Sequence, residues 1–520
     1  MKKRIYSVIP LLFAAMMTAT GCGQQNMPQD ALKTDMAINE APAQMYKFQT
    51  VEAEPDFNTS EYNAITENSF KSVVTDPLST FSADVDTASY TVLRRMIREG
   101  KDIPADAVRI EEMINYFHYD YPEPAAGEPF SVTTRLADCP WNSQTKLMMV
   151  GMKAKDIDMT DRKPMNLVFL IDVSGSMRSA DKLPLVQKAF SMLTEELSEN
   201  DRISIVTYAG GNYTLLEGAS GSEGLKIREV LESLRAGGAT AGAEGIRTAY
   251  KVAEKNFIEG GNNRVILATD GDLNVGISSE AELKKLVEHE RESGVFLSVL
   301  GFGTGNLKDN KMEALADNGN GNYAYIDSEL EARRVLVEEM GGTLVTVAKD
   351  VKFQVEFNPA YVKGYRLIGY ENRLLAAEDF ADDSKDAGEI GAGHTVTALY
   401  EIADVNSPME FSAADLKYAG TETKGVENGE YLTVSVRYKE PDGDTSKLLR
   451  YPVTAADYSQ SMTGDMQFAS AVAAFGMIVR NSPYKGSADR DMVLNLLPES
   501  YQSDKYKAEF AELVRKVKLA

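Results

Sequence analysis

The stretch Asn166-Leu167-Val168-Phe169-Leu170-Ile171-Asp172-Val173-Ser174-Gly175-Ser176 decides how this chain reads. The apolar run 167–171 suits a strand buried on both faces, as in a parallel sheet covered by helices. The residues that follow place one carboxylate and two hydroxyls in a glycine-containing turn where that strand ends. Working outward, strands are expected at 203–208, 265–268 and 295–300. Helices are expected at 182–197, 225–234, 242–256, 280–292 and 308–317. This alternation predicts a doubly wound, mostly parallel α/β sheet, and in such sheets ligands bind beyond the carboxyl ends of the strands.

Two further loops at those ends carry oxygen. Gly237-Gly238-Ala239-Thr240 precedes the 242–256 helix and offers a hydroxyl, while Thr269-Asp270-Gly271 ends the 265–268 strand and offers a second carboxylate. A hard divalent cation such as Mg²⁺ takes about six oxygens and keeps some waters. Two carboxylates balance its charge. Neutral hydroxyls leave it electron-poor, so an open position can accept a carboxylate from a partner.

Asp172-x-Ser174-x-Ser176, Thr240 and Asp270 together resemble the metal-ion-dependent adhesion site of von Willebrand factor type A (VWA) domains. The resemblance implies a Rossmann-like fold with these five residues as metal ligands. It also implies bound Mg²⁺, with Mn²⁺ or Ca²⁺ as alternatives, and a protein ligand that donates an Asp or Glu. The flanks are similar to a narrower group, bacterial VWA lipoproteins. Asp84-Val85-Asp86-Thr87-Ala88-Ser89-Tyr90 and Glu111-Glu112-Met113-Ile114-Asn115-Tyr116-Phe117 resemble their N-terminal extension. Leu367-Ile368-Gly369-Tyr370-Glu371-Asn372 and Gly391-Ala392-Gly393-His394 resemble their C-terminal region of unknown function.

Strand patterns flank the central unit on both sides. Val351, Phe353, Val355 and Phe357 alternate with polar residues, as do Leu432, Val434, Val436 and Tyr438. The turn Pro441-Asp442-Gly443-Asp444 leads to a partner strand at 448–453, and 132–136 and 147–152 also read as extended. One hairpin alone is marginal, so the flanking strands are expected to form one β-rich domain, 126–163 with 345–460, into which the VWA unit 164–344 is inserted. A helix is expected at 88–99 and an amphipathic helix at 107–117, within an N-terminal helical extension 77–125. A C-terminal helical segment 461–520 contains helices at 466–479 and 504–518.

The first residues address the chain. Lys2-Lys3-Arg4, an apolar run over 5–17 and Ala19-Thr20-Gly21-Cys22 describe a signal peptide, 1–21. The small residues before Cys22 resemble the lipobox of bacterial lipoproteins, with Ala19 where Leu is commonest. Cys22 is therefore the expected lipidation site. The expected location is outside the cytoplasm, anchored to a bacterial membrane at the cell surface or outer membrane, through lipid alone. Residues 22–76, poor in apolar periodicity, read as a tether; about fifty flexible residues reach roughly 40 Å. With Cys22 acylated, only Cys139 remains, which cannot form an internal disulfide and reads as a buried small hydrophobe.

A formal charge of −23 disfavours nucleic acid as a partner. Several motifs fail on inspection. Asp270-Gly271-Asp272-Leu273-Asn274 opens like an EF-hand loop, but Gly276 falls one place late and Ala281 stands where the bidentate Glu belongs. Gly301-Phe302-Gly303-Thr304-Gly305 lacks the last glycine of a dinucleotide fingerprint. Ser293 replaces the second His of a zinc-protease string begun by His289-Glu290. His118, His289 and His394 lie far apart in sequence. The expected function is a non-enzymatic binding or adhesion module; the alternative is an extracytoplasmic hydrolase or assembly factor whose VWA domain only recruits.

Overall fold

The computed structural model describes residues 62–518 apart from 84–85, 158–161, 239–241, 272–279, 305–307, 340–344, 386, 412–424 and 442. The signal peptide, Cys22, Asp84, Val85 and Thr240 lie outside the described residues, as does most of the EF-hand-like run.

The chain begins with β1 (Lys71–Ser72), β2 (Leu78–Ser82), α1 (Ala88–Glu99), α2 (Ile110–Asn115), β3 (Phe130–Asp138) and β4 (Lys146–Ala154). The central unit runs β5 (Met165–Asp172), α3 (Leu183–Glu195), β6 (Arg202–Tyr208), β7 (Asn212–Ser220), α4 (Gly224–Ser233) and α5 (Gly242–Lys255). It continues with β8 (Asn262–Thr269), α6 (Glu280–Glu290), β9 (Phe296–Phe302), α7 (Asp309–Asn318), β10 (Tyr323–Ile326) and α8 (Glu329–Arg333). Then come β11 (Thr346–Phe357), β12 (Val362–Ile368), β13 (Ile390–Gly391), β14 (Thr395–Asp404), β15 (Glu430–Lys439) and β16 (Ser446–Thr454). Helices α9 (Gly464–Arg480), α10 (Arg490–Asn495) and α11 (Lys505–Lys516) complete the order.

The central sheet has the order β10-β9-β8-β5-β6-β7, parallel except for β7 at one edge. Alternation along β5 explains why helices cover both faces. Met165, Leu167, Phe169 and Ile171 join a core with α3 and α4, where Phe169 stacks on Phe190 at 4.2 Å. Val168 and Leu170 join the opposite core with Ile246, Tyr250, Val287 and Met312. From β5 the chain turns one way to β6, and from β8 it turns the other way to β9. The crevice of a doubly wound sheet therefore opens between β5 and β8.

Two antiparallel sheets flank it, β1-β12-β14-β4-β3 and β13-β11-β15-β16, with β2 added alongside β11. Met148, Val150 and Met152 of β4 face the core between these sheets, among Phe81, Phe353, Tyr365 and Tyr400. Leu147 and Met149 of the same strand face a helical core built from α1, α2, α9 and α11 around Trp141.

Three expectations change. The N-terminal extension is not only helical: β2 pairs with β11, and Ala88, Val92 and Met96 of α1 enter the core of the central sheet. Burying side chains the size of Val92 and Met96 stabilises by roughly 1.5–3 kcal/mol each, so α1 is part of the VWA packing. The tether ends before Asp76, because Asn68 donates to the Leu367 and Gly369 carbonyls, β1 pairs with β12 and Val73 is fully buried. The 107–117 helix is shorter because the Ser89 hydroxyl donates to the Ala107 carbonyl and accepts from the Arg109 N–H, holding the backbone extended there.

Candidate metal centre

The register Ile171 opposite Ala268 brings Asp172, the last residue of β5, close to Asp270, the first residue after β8. Asp172 is fully buried. Its Oδ1 accepts the Ser174 N–H at 2.8 Å, which turns the chain so that the Ser174 and Ser176 hydroxyls lie 2.9 Å apart. Ser174 is buried and Ser176 exposed, so the loop runs from core to rim. Asp172 Oδ2 is buried beside the equally buried Tyr208 hydroxyl without a well-formed hydrogen bond. Burial, with a smaller contribution from Asp270, pushes this carboxyl up to about 6, while the Ser174 and Tyr208 hydroxyls act in the opposite direction.

The second loop docks on the first through backbone hydrogen bonds. The Gly237 N–H donates to the Val173 carbonyl at 2.7 Å, and the Gly175 N–H donates to the Gly238 carbonyl at 3.1 Å. Gly238 has φ +90, a conformation that favours glycine, and a Cβ there would crowd the Gly210 nitrogen at 3.2 Å. The chain leading to Thr240 is thus anchored beside Ser174, although Thr240 itself lies outside the described residues.

These residues fit a hard cation. The donors are all oxygen, and a buried carboxylate that meets only neutral donors is costly unless something positive joins it. Among the described residues no group of three or more His, Cys, Asp and Glu could hold a metal; this donor set has two carboxylates and hydroxyls. A residue absent from the sequence-based set also reaches it. The Lys182 Nζ donates to Asp270 Oδ2 at 2.9 Å, with the Asp270 side chain almost fully buried. A lysine opening a helix reads as a solvated charge; only its unfavourable position at the positive helix end signals otherwise.

Perturbed acids also cluster away from these loops, between α2, α7 and the turn after β12. Burial pushes Glu111 up to about 8 and Asp309 to about 7, and raises Glu112. Arg109 lies 3.1 Å from Glu112 and 2.7 Å from Glu313. Arg373 lies 2.9 Å from Asp86, 3.0 Å from Glu313 and 2.9 Å from Asp317. These carboxyls are nearly inaccessible apart from the half-buried Asp317, and their arginines come from separate segments. The arrangement clamps the VWA unit to its flanks. His118 and His394, remote in sequence, line one cavity of about 480 Å³ with Arg334, Glu338 and Tyr506. Burial lowers His394 to about 4 and keeps it neutral. His289 is exposed. Cys139 is buried and its thiol is pushed up to about 12, which suits a packing role.

The VWA domain family matches residues 166–339, a von Willebrand factor family matches 56–149, and the family described as "Uncharacterized protein YfbK, C-terminal" matches 342–519. The chain is 43% identical over 467 residues to the uncharacterized protein YfbK of Escherichia coli (strain K12), covering 88% of this chain and 80% of that one. Inter-alpha-trypsin inhibitor heavy chain H3 of Homo sapiens is 30% identical over 194 residues, 35% of this chain and 22% of its own length. A von Willebrand factor type A structure from Catenulispora acidiphila has 16% identity and a TM-score of 0.42, covering 77% of this chain and 91% of that one. At that score the likeness adds nothing to the topology above. A VWA domain is, in general terms, a protein-interaction or adhesion module. The sequence relative, the three family matches and the sheet topology agree: this chain belongs to the YfbK family of VWA-domain proteins.

Proposed function

We propose that this protein acts outside the cytoplasm, anchored to a bacterial membrane by lipid on Cys22. Its VWA domain binds a partner protein through a divalent cation held by Asp172, Ser174, Ser176, Thr240 and Asp270. Asp172 carries the reading: a fully buried carboxyl at a strand end, one oxygen lacking a well-formed hydrogen bond, beside two serine hydroxyls and the Tyr208 hydroxyl. When bound, Mg²⁺, or Mn²⁺ or Ca²⁺ in its place, supplies positive charge and an open position for a partner's Asp or Glu. The Ser174 N–H fixes the orientation of Asp172, and the two hydroxyls ligate without neutralising charge. On a chain of formal charge −23, such a spot is what lets an acidic group approach.

The second reading, a hydrolase or assembly factor, is favoured by the raised Glu111 and Asp309 carboxyls. Both are fully enclosed and Asp309 lies 3.7 Å from Arg109, which fits the clamp better, so no catalytic residue is assigned. The test is an affinity capture from envelope extracts with full-length protein, repeated with chelator and with Asp172→Asn. Partner lost in both, and recovered on adding Mg²⁺ to wild type, supports the metal contact. Partner retained in folded Asp172→Asn under chelation places binding on another surface. Replacing Cys22 with Ser should release the protein from membranes, and an unmodified mature Cys22 by mass spectrometry would end the anchor proposal.

A further inference from the structure

Lys182 sits at the N-cap of α3, where the helix dipole disfavours a cation, and its side chain makes no capping hydrogen bond. Its ammonium instead lies 2.9 Å from Asp270 Oδ2, with the lysine side chain 10% exposed and the aspartate 1%. The route to Asp270 is shaped for it. Gly303, in the turn after β9, has φ +78, and a Cβ there would fall 2.3 Å from Lys182 Cε and 2.4 Å from Cγ. The aliphatic stem thus passes through the space that glycine leaves. Of the two carboxylates in the crevice, Asp270 has an internal cation, whereas Asp172 faces only neutral hydroxyls and a backbone N–H among the described residues.

Two carboxylates and one ammonium leave a single negative charge. A divalent ion added to all three makes the site positive, while the same ion with Lys182 withdrawn leaves it neutral; in a partly buried site that difference is large. We propose that Lys182 is a built-in counter-cation for Asp270 that competes with the divalent ion, so that loading the site displaces the Lys182 ammonium. This rests on the metal reading above and adds its regulation: the affinity of the site is set by an internal competitor, and occupancy is coupled to the start of α3.

The test uses the full chain of wild type, Lys182→Met, Lys182→Arg and Asp172→Asn in calorimetric titrations with MgCl₂ and MnCl₂. Amine-reactive labelling of Lys182 is followed by mass spectrometry in wild type with and without Mg²⁺. The expected result is about tenfold or greater tightening in Lys182→Met, near-wild-type affinity in Lys182→Arg, and faster Lys182 labelling when Mg²⁺ is present. Metal-free Lys182→Met should also melt below wild type and regain stability with Mg²⁺. Unchanged affinity in folded Lys182→Met, or Lys182 labelling indifferent to bound Mg²⁺, overturns the competition while leaving the metal site standing. If neither wild type nor Lys182→Met binds either ion, the metal site itself falls and this proposal with it.

Discussion

A single methyl group at position 303 measures how tightly the loops around the crevice are fitted. Gly303→Ala must adopt a left-handed backbone and push aside the Lys182 stem. A loss of roughly 1–3 kcal/mol is expected in urea unfolding, with a second signature: Lys182 should become reactive to amine reagents without metal. A different residue reports on pH. Glu111 binds its proton more tightly in the folded chain, up to about 8 from an ordinary 4.5, because burial penalises its charge. Between those values the folded state holds a proton the unfolded state has released, so stability falls as pH rises through that window and levels above it. Glu111→Gln removes this contribution. Its stability should decline less between pH 5 and 8, by on the order of a few kcal/mol, measured by denaturation at each pH.

Among elements, legibility followed burial pattern. β5, β8 and β9 stood out because both faces are covered, which leaves near-continuous apolar runs. β7 was missed because it is the antiparallel edge of that sheet, with Tyr213 and Leu215 exposed and no clean alternation. β10 has four residues, too few for a period to show. Asp172, Ser174, Ser176 and Asp270 were legible because their spacing is local to strand ends. Lys182 was not, since its partner lies 88 residues away and nothing local encodes the pairing. The strap before β2 was misjudged for the same reason: Asn68 and Val73 find their partners on β12, about three hundred residues on. A chain beginning at Ala83 should therefore melt well below one beginning at Tyr62. Val73→Ala alone should cost roughly 1–3 kcal/mol, read by thermal denaturation.

At the scale of the whole molecule, Arg94 shows why the VWA unit is not separable from its flanks. It is fully buried on α1 and reaches Asp327 at 2.5 Å, Glu331 at 2.8 Å, Glu509 of α11 at 3.1 Å and the Tyr116 hydroxyl at 2.8 Å. Arg94→Ala strands these acids and should cost roughly 3–5 kcal/mol. Calorimetry of the full chain should show one unfolding transition rather than separate ones, and residues 164–344 expressed alone should melt at a lower temperature for want of α1.

The same interleaving sets a timetable. Helix α1 emerges early in synthesis, yet one of its faces packs in a core completed by α11, more than four hundred residues later. At about 5–20 residues per second, that interval is roughly 20–90 s during which Tyr90, Leu93 and Ile97 have no final home. A nascent chain of this design cannot bank its folded parts one after another. Its helical core must stay open until α11 exists, so a stop codon that removes only α11 would leave α1 without a finished core.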